Sequence, residues 1–193
     1  MLYRQTANII FTPGMWATRL LERTPGEDET YAGHTAGFTS PDTVTEALWR
    51  VTSTPWDEWD AKHPDYRIYR PLWVSDKQRE IIAKYVLERV GDPYAPLKLG
   101  AHATDWLIAW ARWALTLGQW KGEAYAARWL LSKVGLDYFK ICSMLWNEGY
   151  WQIGYTGWGP RKMVNPDGQD DVCATDTVNW LLVREKVNGV VVV

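Results

Sequence analysis

The sequence predicts an α+β domain, and three observations predict it. Runs rich in β-branched and aromatic residues, separated by Pro, Gly, Ser and Asp, fill much of the first 72 positions and read as strands. A serine-capped amphipathic helix follows at Ser75. Beyond it, tryptophans recur at helical spacing, and a second helical pattern opens on Cys142. With 193 residues, 47% of them hydrophobic, the chain has enough apolar mass for one domain spanning 1–193 with an elaboration at about 100–135.

Residues 7–12, ANIIFT, read as a short buried strand ended by Pro13 and Gly14. Trp16, Leu20 and Leu21 are spaced for a short helix over 15–23, and an acidic loop follows at 24–30. YAGHTAGFT (31–39) and TVTEALWRV (43–51), joined through SPD, predict a hairpin. By the strand period of two, His34, Ala36 and Phe38 share one face, as do Val44, Glu46 and Leu48. An odd connection would put Glu46 on the face of His34, about one diagonal step away; an even one would put it opposite. Residues 52–65 read as a polar loop in which His63 is solvated. Tyr66–Leu72 reads as a strand near a sheet edge, because Pro71 cannot donate to a ladder.

The Ser75 helix should turn Ile81, Ile82, Tyr85, Val86 and Leu87 inward and stop at Gly91. Within 102–134, Trp106, Trp110, Trp113, Leu117 and Trp120 form a helical stripe, broken near Gly118 and Gly122 and followed by a second helix that turns Tyr125, Trp129 and Leu130 inward. The pattern predicts a helical hairpin packed on the core. A tryptophan wall beside a sugar or acyl site is the second reading, and the scarcity of Lys and Arg on the polar side ranks membrane contact last. GYTGWGPRKMVNPDGQDD (154–171) reads as a loop whose NPDGQDD fits turn and helix-cap chemistry better than a calcium loop. The terminal GVVVV reads as a last strand.

A net charge of −2 gives no basic excess for nucleic acid, and no apolar run reaches transmembrane length. The N-terminus lacks a signal-peptide pattern, so the expected location is cytoplasmic, compatible with later release by lysis or in a particle. Cys142 and Cys173 are expected to stay free thiols, Cys173 in a structural role. Three scattered histidines and two distant cysteines offer no close-spaced metal-ligand pair, and phosphate-loop, dinucleotide and HExxH patterns are missing.

Cys142 is the residue with the clearest chemical potential. Leu145, Trp146, Gly149 and Ile153 follow it on one helical face, which places its thiol in a first turn. There the positive end of the helix favours thiolate, and unpaired backbone N–H groups could hold an oxyanion. Cysteine catalysis further needs a histidine to shuttle the proton and a polar group to orient it. His34 and Glu46 are of suitable type.

In this order, GHTAGF, then TEA with Glu46 twelve positions after His34, then YRIYRPL, the Ser75 helix, GDPY (91–94), ICSMLW (141–146) and NPD (165–167), the chain resembles the circularly permuted branch of the NlpC-type papain-like fold, the YiiX/YaeF-like amidases. The resemblance spans roughly residues 7 to 180. It implies a papain-like antiparallel sheet or small barrel packed on a nucleophile-bearing helix, with the Trp-rich helices as an insertion. It makes Cys142 the nucleophile, His34 the general base and Glu46 the orienting residue, and it aligns Tyr94 with a turn tyrosine of no assigned role. Met144 departs from the glutamate that relatives often carry after Cys-Ser.

The expected activity is therefore that of a cysteine amidase or peptidase passing through a thioester, with no metal or organic cofactor. Its expected substrates are a peptide, a peptidoglycan fragment or a lipid amide. The alternatives are an acyltransferase of lecithin:retinol acyltransferase-like type and a non-catalytic binding module that keeps the fold.

Overall fold

The structure is a computed structural model and describes residues 3–14, 31–93, 96–120, 124, 126–133, 141–159 and 165–193. The predicted helix at 15–23, the acidic loop at 24–30, Tyr94, the Gly122 break and Tyr125 lie outside them. The architecture is α+β. An antiparallel sheet runs in the order β4-β3-β2-β1-β5-β6-β7, built from β1 (Ile9–Thr12), β2 (His34–Ser40), β3 (Thr43–Ala47), β4 (Val51–Pro55), β5 (Tyr66–Pro71), β6 (Trp180–Val187) and β7 (Val190–Val191). It is open, ending on β4 and β7, so the small-barrel form of the expectation is replaced by an open sheet.

Two stretches differ from the sequence expectation. The run 43–51 is broken after Ala47: Leu48–Arg50 reverse the chain, and Val51 begins a new strand opposite Ala47. The supposed polar loop then forms β4 and α1 (Trp56–Lys62). Trp56 and Trp59 lie three apart and bury their rings, which gives this short helix its inward face. Asp57 and Glu58 in its first turn and Lys62 in its last suit the helix dipole. Strand β5 is interior, between β1 and β6. Pro71 is tolerated because it is the last residue of the strand, where its missing N–H interrupts no inner rung.

The sheet is covered on both faces. One face packs Ile10, Ala36, Phe38, Val44 and Ile68 against Trp56 and Trp59. The other packs Ile9, Phe11 and Tyr69 against α2 (Asp76–Leu87) and α5 (Cys142–Trp151). Helix α2 starts with a reciprocal capping box between Ser75 and Gln78, and it buries Ile82, Tyr85 and Val86 while Ile81 and Leu87 face solvent. Helix α6 (Pro166–Thr175) starts where cap chemistry was expected: the Asn165 side chain accepts from Gly168 N–H at 2.7 Å, with Pro166 in the first turn.

Two glycines let α5 approach so closely. A Cβ on Gly37 of β2 would stand 2.6 Å from the Trp146 ring, and one on Gly149 would stand 3.3 Å from Ile82 and Val86. Trp146 also donates from Nε1 to the Thr45 carbonyl at 3.2 Å, which fixes the ring over β2 and β3.

The Trp-rich segment forms α3 (Pro96–Leu115) and α4 (Ala126–Lys133). Among the described elements α3 packs chiefly on α4, and residues 111–117 are exposed. The two helices pair as expected, but packing on the core does not extend to this tip, and Trp129 and Leu130, expected inward, are exposed because α4 meets chiefly α3 among the described elements. No helix among the described residues is long and apolar enough to cross a membrane.

Candidate active site

The fold brings Cys142, His34 and Glu46 together. Cys142 is the first residue of α5, after Ile141, and is 5% exposed. His34 opens β2 and Glu46 lies on β3, both buried. The β2–β3 register pairs Ala36 with Glu46, so His34 sits one diagonal step from Glu46 on the same face. That register depends on a bulge. Ser40 pairs with Thr43 across the two-residue Pro41–Asp42 turn, but Phe38 pairs with Val44, which leaves Thr39 as the extra residue.

His34 Nε2 lies 2.7 Å from Glu46 Oε2, so Nε2–H donates to the carboxylate and the other ring nitrogen is left for the sulfur. The Cys142 side chain is hydrogen-bonded to His34 and also receives the backbone N–H groups of Thr35 and Ser143. The electrostatics follow from this geometry. Burial pushes the Cys142 thiol up, but the charge and hydrogen bond of His34 and the two N–H groups outweigh it, leaving the thiol below its ordinary value. Burial would lower His34, yet the Cys142 sulfur and Glu46 raise it to about 10. Glu46 is raised by burial and lowered more by His34, with smaller contributions from His63 and the Trp59 indole, so its carboxyl stays below the usual range. Together these directions favour a thiolate–imidazolium pair held by a carboxylate.

Several neighbours were not marked by the sequence. Gln169 on α6 is fully buried and joins the site's two walls: its Oε1 accepts from Thr35 Oγ1 at 2.9 Å, and its Nε2 donates to the Ser143 carbonyl at 3.2 Å. The only signal for it was its place four residues after the Asn165 cap. Glu148, two turns along α5, is buried and accepts from the Tyr85 hydroxyl of α2. His63 is no solvated loop residue. It ends α1, its ring stacks on Trp59 with centroids 3.9 Å apart, and its Nδ1 lies 2.7 Å from the Trp59 carbonyl. Burial lowers its pKa. Cys173 is buried and free, as expected, and desolvation raises its thiol well above the ordinary value. Met144 is wholly buried against Ile141, so it faces the core.

Among the described residues no group of three or more His, Cys, Asp or Glu side chains is arranged to hold a metal ion. A groove of about 550 Å³ lined by Thr6, Thr39, Ala83, Lys84 and Leu87 lies along α2 and does not include the Cys142 group.

No protein-family model and no curated protein matches the chain. Among solved structures, it is similar to the metalloprotein yiiX from Escherichia coli O157:H7, with 24% identity and a TM-score of 0.37 over 47% of this chain and 52% of that one. The match thus spans about half the length of that protein.

Proposed function

We propose that this protein is a cysteine hydrolase of the permuted NlpC-type papain-like kind, cleaving an amide, peptide or related acyl bond. The observation that carries the proposal is the buried, hydrogen-bonded run from Cys142 through His34 to Glu46, with the sulfur at the start of a helix. In this reading the Cys142 thiolate attacks the substrate carbonyl, forming a carbon–sulfur bond and an oxyanion that the first-turn N–H groups of α5, beginning with that of Cys142, can stabilise. His34 then gives its proton to the leaving nitrogen or oxygen as the carbonyl re-forms and that bond breaks, which leaves a thioester. A water, deprotonated by His34, attacks the thioester, and the acid product leaves as the Cys142 sulfur departs. Glu46 keeps the imidazole oriented and stabilises its charged form throughout. Peptidoglycan-type peptides and lipid amides both suit the chemistry.

Alkylation by iodoacetamide across pH, followed at Cys142 by peptide mass analysis, tests the reading. Expected is a reaction at pH 6 much faster than that of an ordinary thiol, and its loss in His34→Ala. A Cys142 that reacts no faster than a free thiol and is indifferent to His34→Ala would sink it.

A further inference from the structure

The α3–α4 hairpin carries large apolar side chains into solvent. Leu115 is 84% exposed and Leu117 91%, at the tip where the chain leaves α3. Leu107 and Trp113 on the same helix, and Trp129 and Leu130 on α4, are also exposed. A monomeric soluble surface seldom gathers so many large apolar groups on one pair of helices without a use for them.

In sequence the two helices carry four basic residues against a single acid, Asp105, a net +3 on a chain whose total is −2, and of the described side chains Arg112 and Lys133 are exposed. Asp105 is 1% exposed, and its Oδ1 accepts the Ala127 N–H at 2.7 Å at the start of α4, so its charge is spent inside the hairpin. Arg112 of α3 lies over the ring of Trp120, beyond the end of that helix, at 5.6 Å, and Lys133 lies over Trp129 of α4 at 5.7 Å. Indoles flanked by long cationic side chains suit the boundary between lipid headgroups and acyl chains, where the ring is half apolar and the cation can reach phosphate. At 20 residues and interrupted by polar groups, α3 does not qualify as a membrane span, which leaves a seat on the surface rather than across it.

We propose that the α3–α4 hairpin is an interfacial anchor that seats Leu115 and Leu117 in the outer region of an anionic lipid bilayer, with Arg112 and Lys133 on the headgroup phosphates. The scarcity of Lys and Arg on the polar side ranks membrane contact last in the sequence; the structure changes the balance, because it exposes the leucines and hides the acid. The anchor stands apart from the Cys142 chemistry and does not depend on it.

Co-sedimentation of the full chain with phosphatidylcholine vesicles and with mixed phosphatidylcholine–phosphatidylglycerol vesicles tests the proposal. Binding is expected to the mixed vesicles, weaker on the zwitterionic ones and weakened by salt. The double variant Leu115→Glu/Leu117→Glu should lose about tenfold or more in affinity while keeping the wild-type melting temperature and Cys142 alkylation rate. Arg112→Glu/Lys133→Glu, which leaves the leucines alone, should lose binding to the anionic vesicles only. No sedimentation with either vesicle, or binding that both double variants retain, overturns the proposal. So does a leucine variant that only lowers the molar mass in light scattering, because that outcome assigns the patch to a protein–protein contact.

Discussion

Replacing Glu46 with glutamine keeps the shape of the side chain and removes its charge, so it isolates what the carboxylate does for His34. The two groups meet at 2.7 Å and both are almost fully buried. A hydrogen bond to a charged partner is worth about 1.5–3 kcal/mol, and one pKa unit corresponds to about 1.4 kcal/mol, so the imidazolium should lose about one to two units of the elevation that carries it to about 10. Glu46 meets the imidazolium both before and after the thiol ionises, so the acid limb of Cys142 alkylation, which is thiol ionisation beside a charged His34, should stay in place or move slightly to lower pH. What moves is the second ionisation, loss of the imidazolium proton, which should fall from about 10 by about one to two units. The assay is the titration of the His34 ring resonances by NMR between about pH 5 and pH 11, with loss of the Cys142 thiol to iodoacetamide followed over the same range. An imidazolium titration that superimposes on the wild type, or moves to higher pH, refutes the reasoning.

Gly37→Ala places a Cβ 2.6 Å from the Trp146 ring, which cannot turn away without breaking its bond to the Thr45 carbonyl. The expected cost is about 1–3 kcal/mol in urea unfolding, with slower Cys142 alkylation as α5 lifts from β2. Asp170 on α6 is 3% exposed, and burial raises its carboxyl to about 6 despite Arg67 at 3.4 Å. A carboxyl whose folded pKa lies above its unfolded value binds more protons in the native state, so wild-type stability falls as pH rises from about 4 through about 6. Asp170→Asn cannot titrate. Its stability relative to wild type should improve across that window by up to about 3 kcal/mol, partly offset by the weakened Arg67 contact, and thermal melts at pH 4 and pH 8 measure the difference.

What could be read in advance divides along physical lines. The Ser75 helix, the Asn165 cap and the Cys142 helix face were legible because capping and helical periodicity act over a few residues. Local patterns say less about where a strand stops. TVTEALWRV has β-forming residues on both sides of Leu48, and only the pairing of Val51 with Ala47 shows the chain reversing there. Trp56 and Trp59 sit among acids and read as a polar loop until the sheet face they cover is known. The hairpin shows the opposite limit. Its Trp spacing identified the helices, yet periodicity gives the same stripe whether it meets a core or projects from one. Gln169 was hidden for a related reason, since its partners Thr35 and Ser143 are more than twenty residues away on other elements.

The joining of His34 to Glu46 is the most instructive of these cases, because local chemistry alone points the wrong way. The Pro41–Asp42 connection holds two residues, and an even turn with regular pairing would set Glu46 on the face of Thr35 and Gly37, away from the histidine. One extra residue, Thr39, reverses that parity. Its cost is contained by the Thr39–Thr45 hydroxyl contact at 2.9 Å and the further Thr45–Ser53 contact at 2.7 Å, which tie the bulged strand to β3 and β4. Across the sheet, the Ala7 N–H bonds to the Phe38 carbonyl at 2.7 Å and holds the strand just before the irregularity. The proposed catalytic chain therefore rests on a feature with no side chain in the site. A bulge that keeps His34 and Glu46 on one face, supported by three hydroxyls in a row, is a more demanding arrangement than a structural hairpin needs.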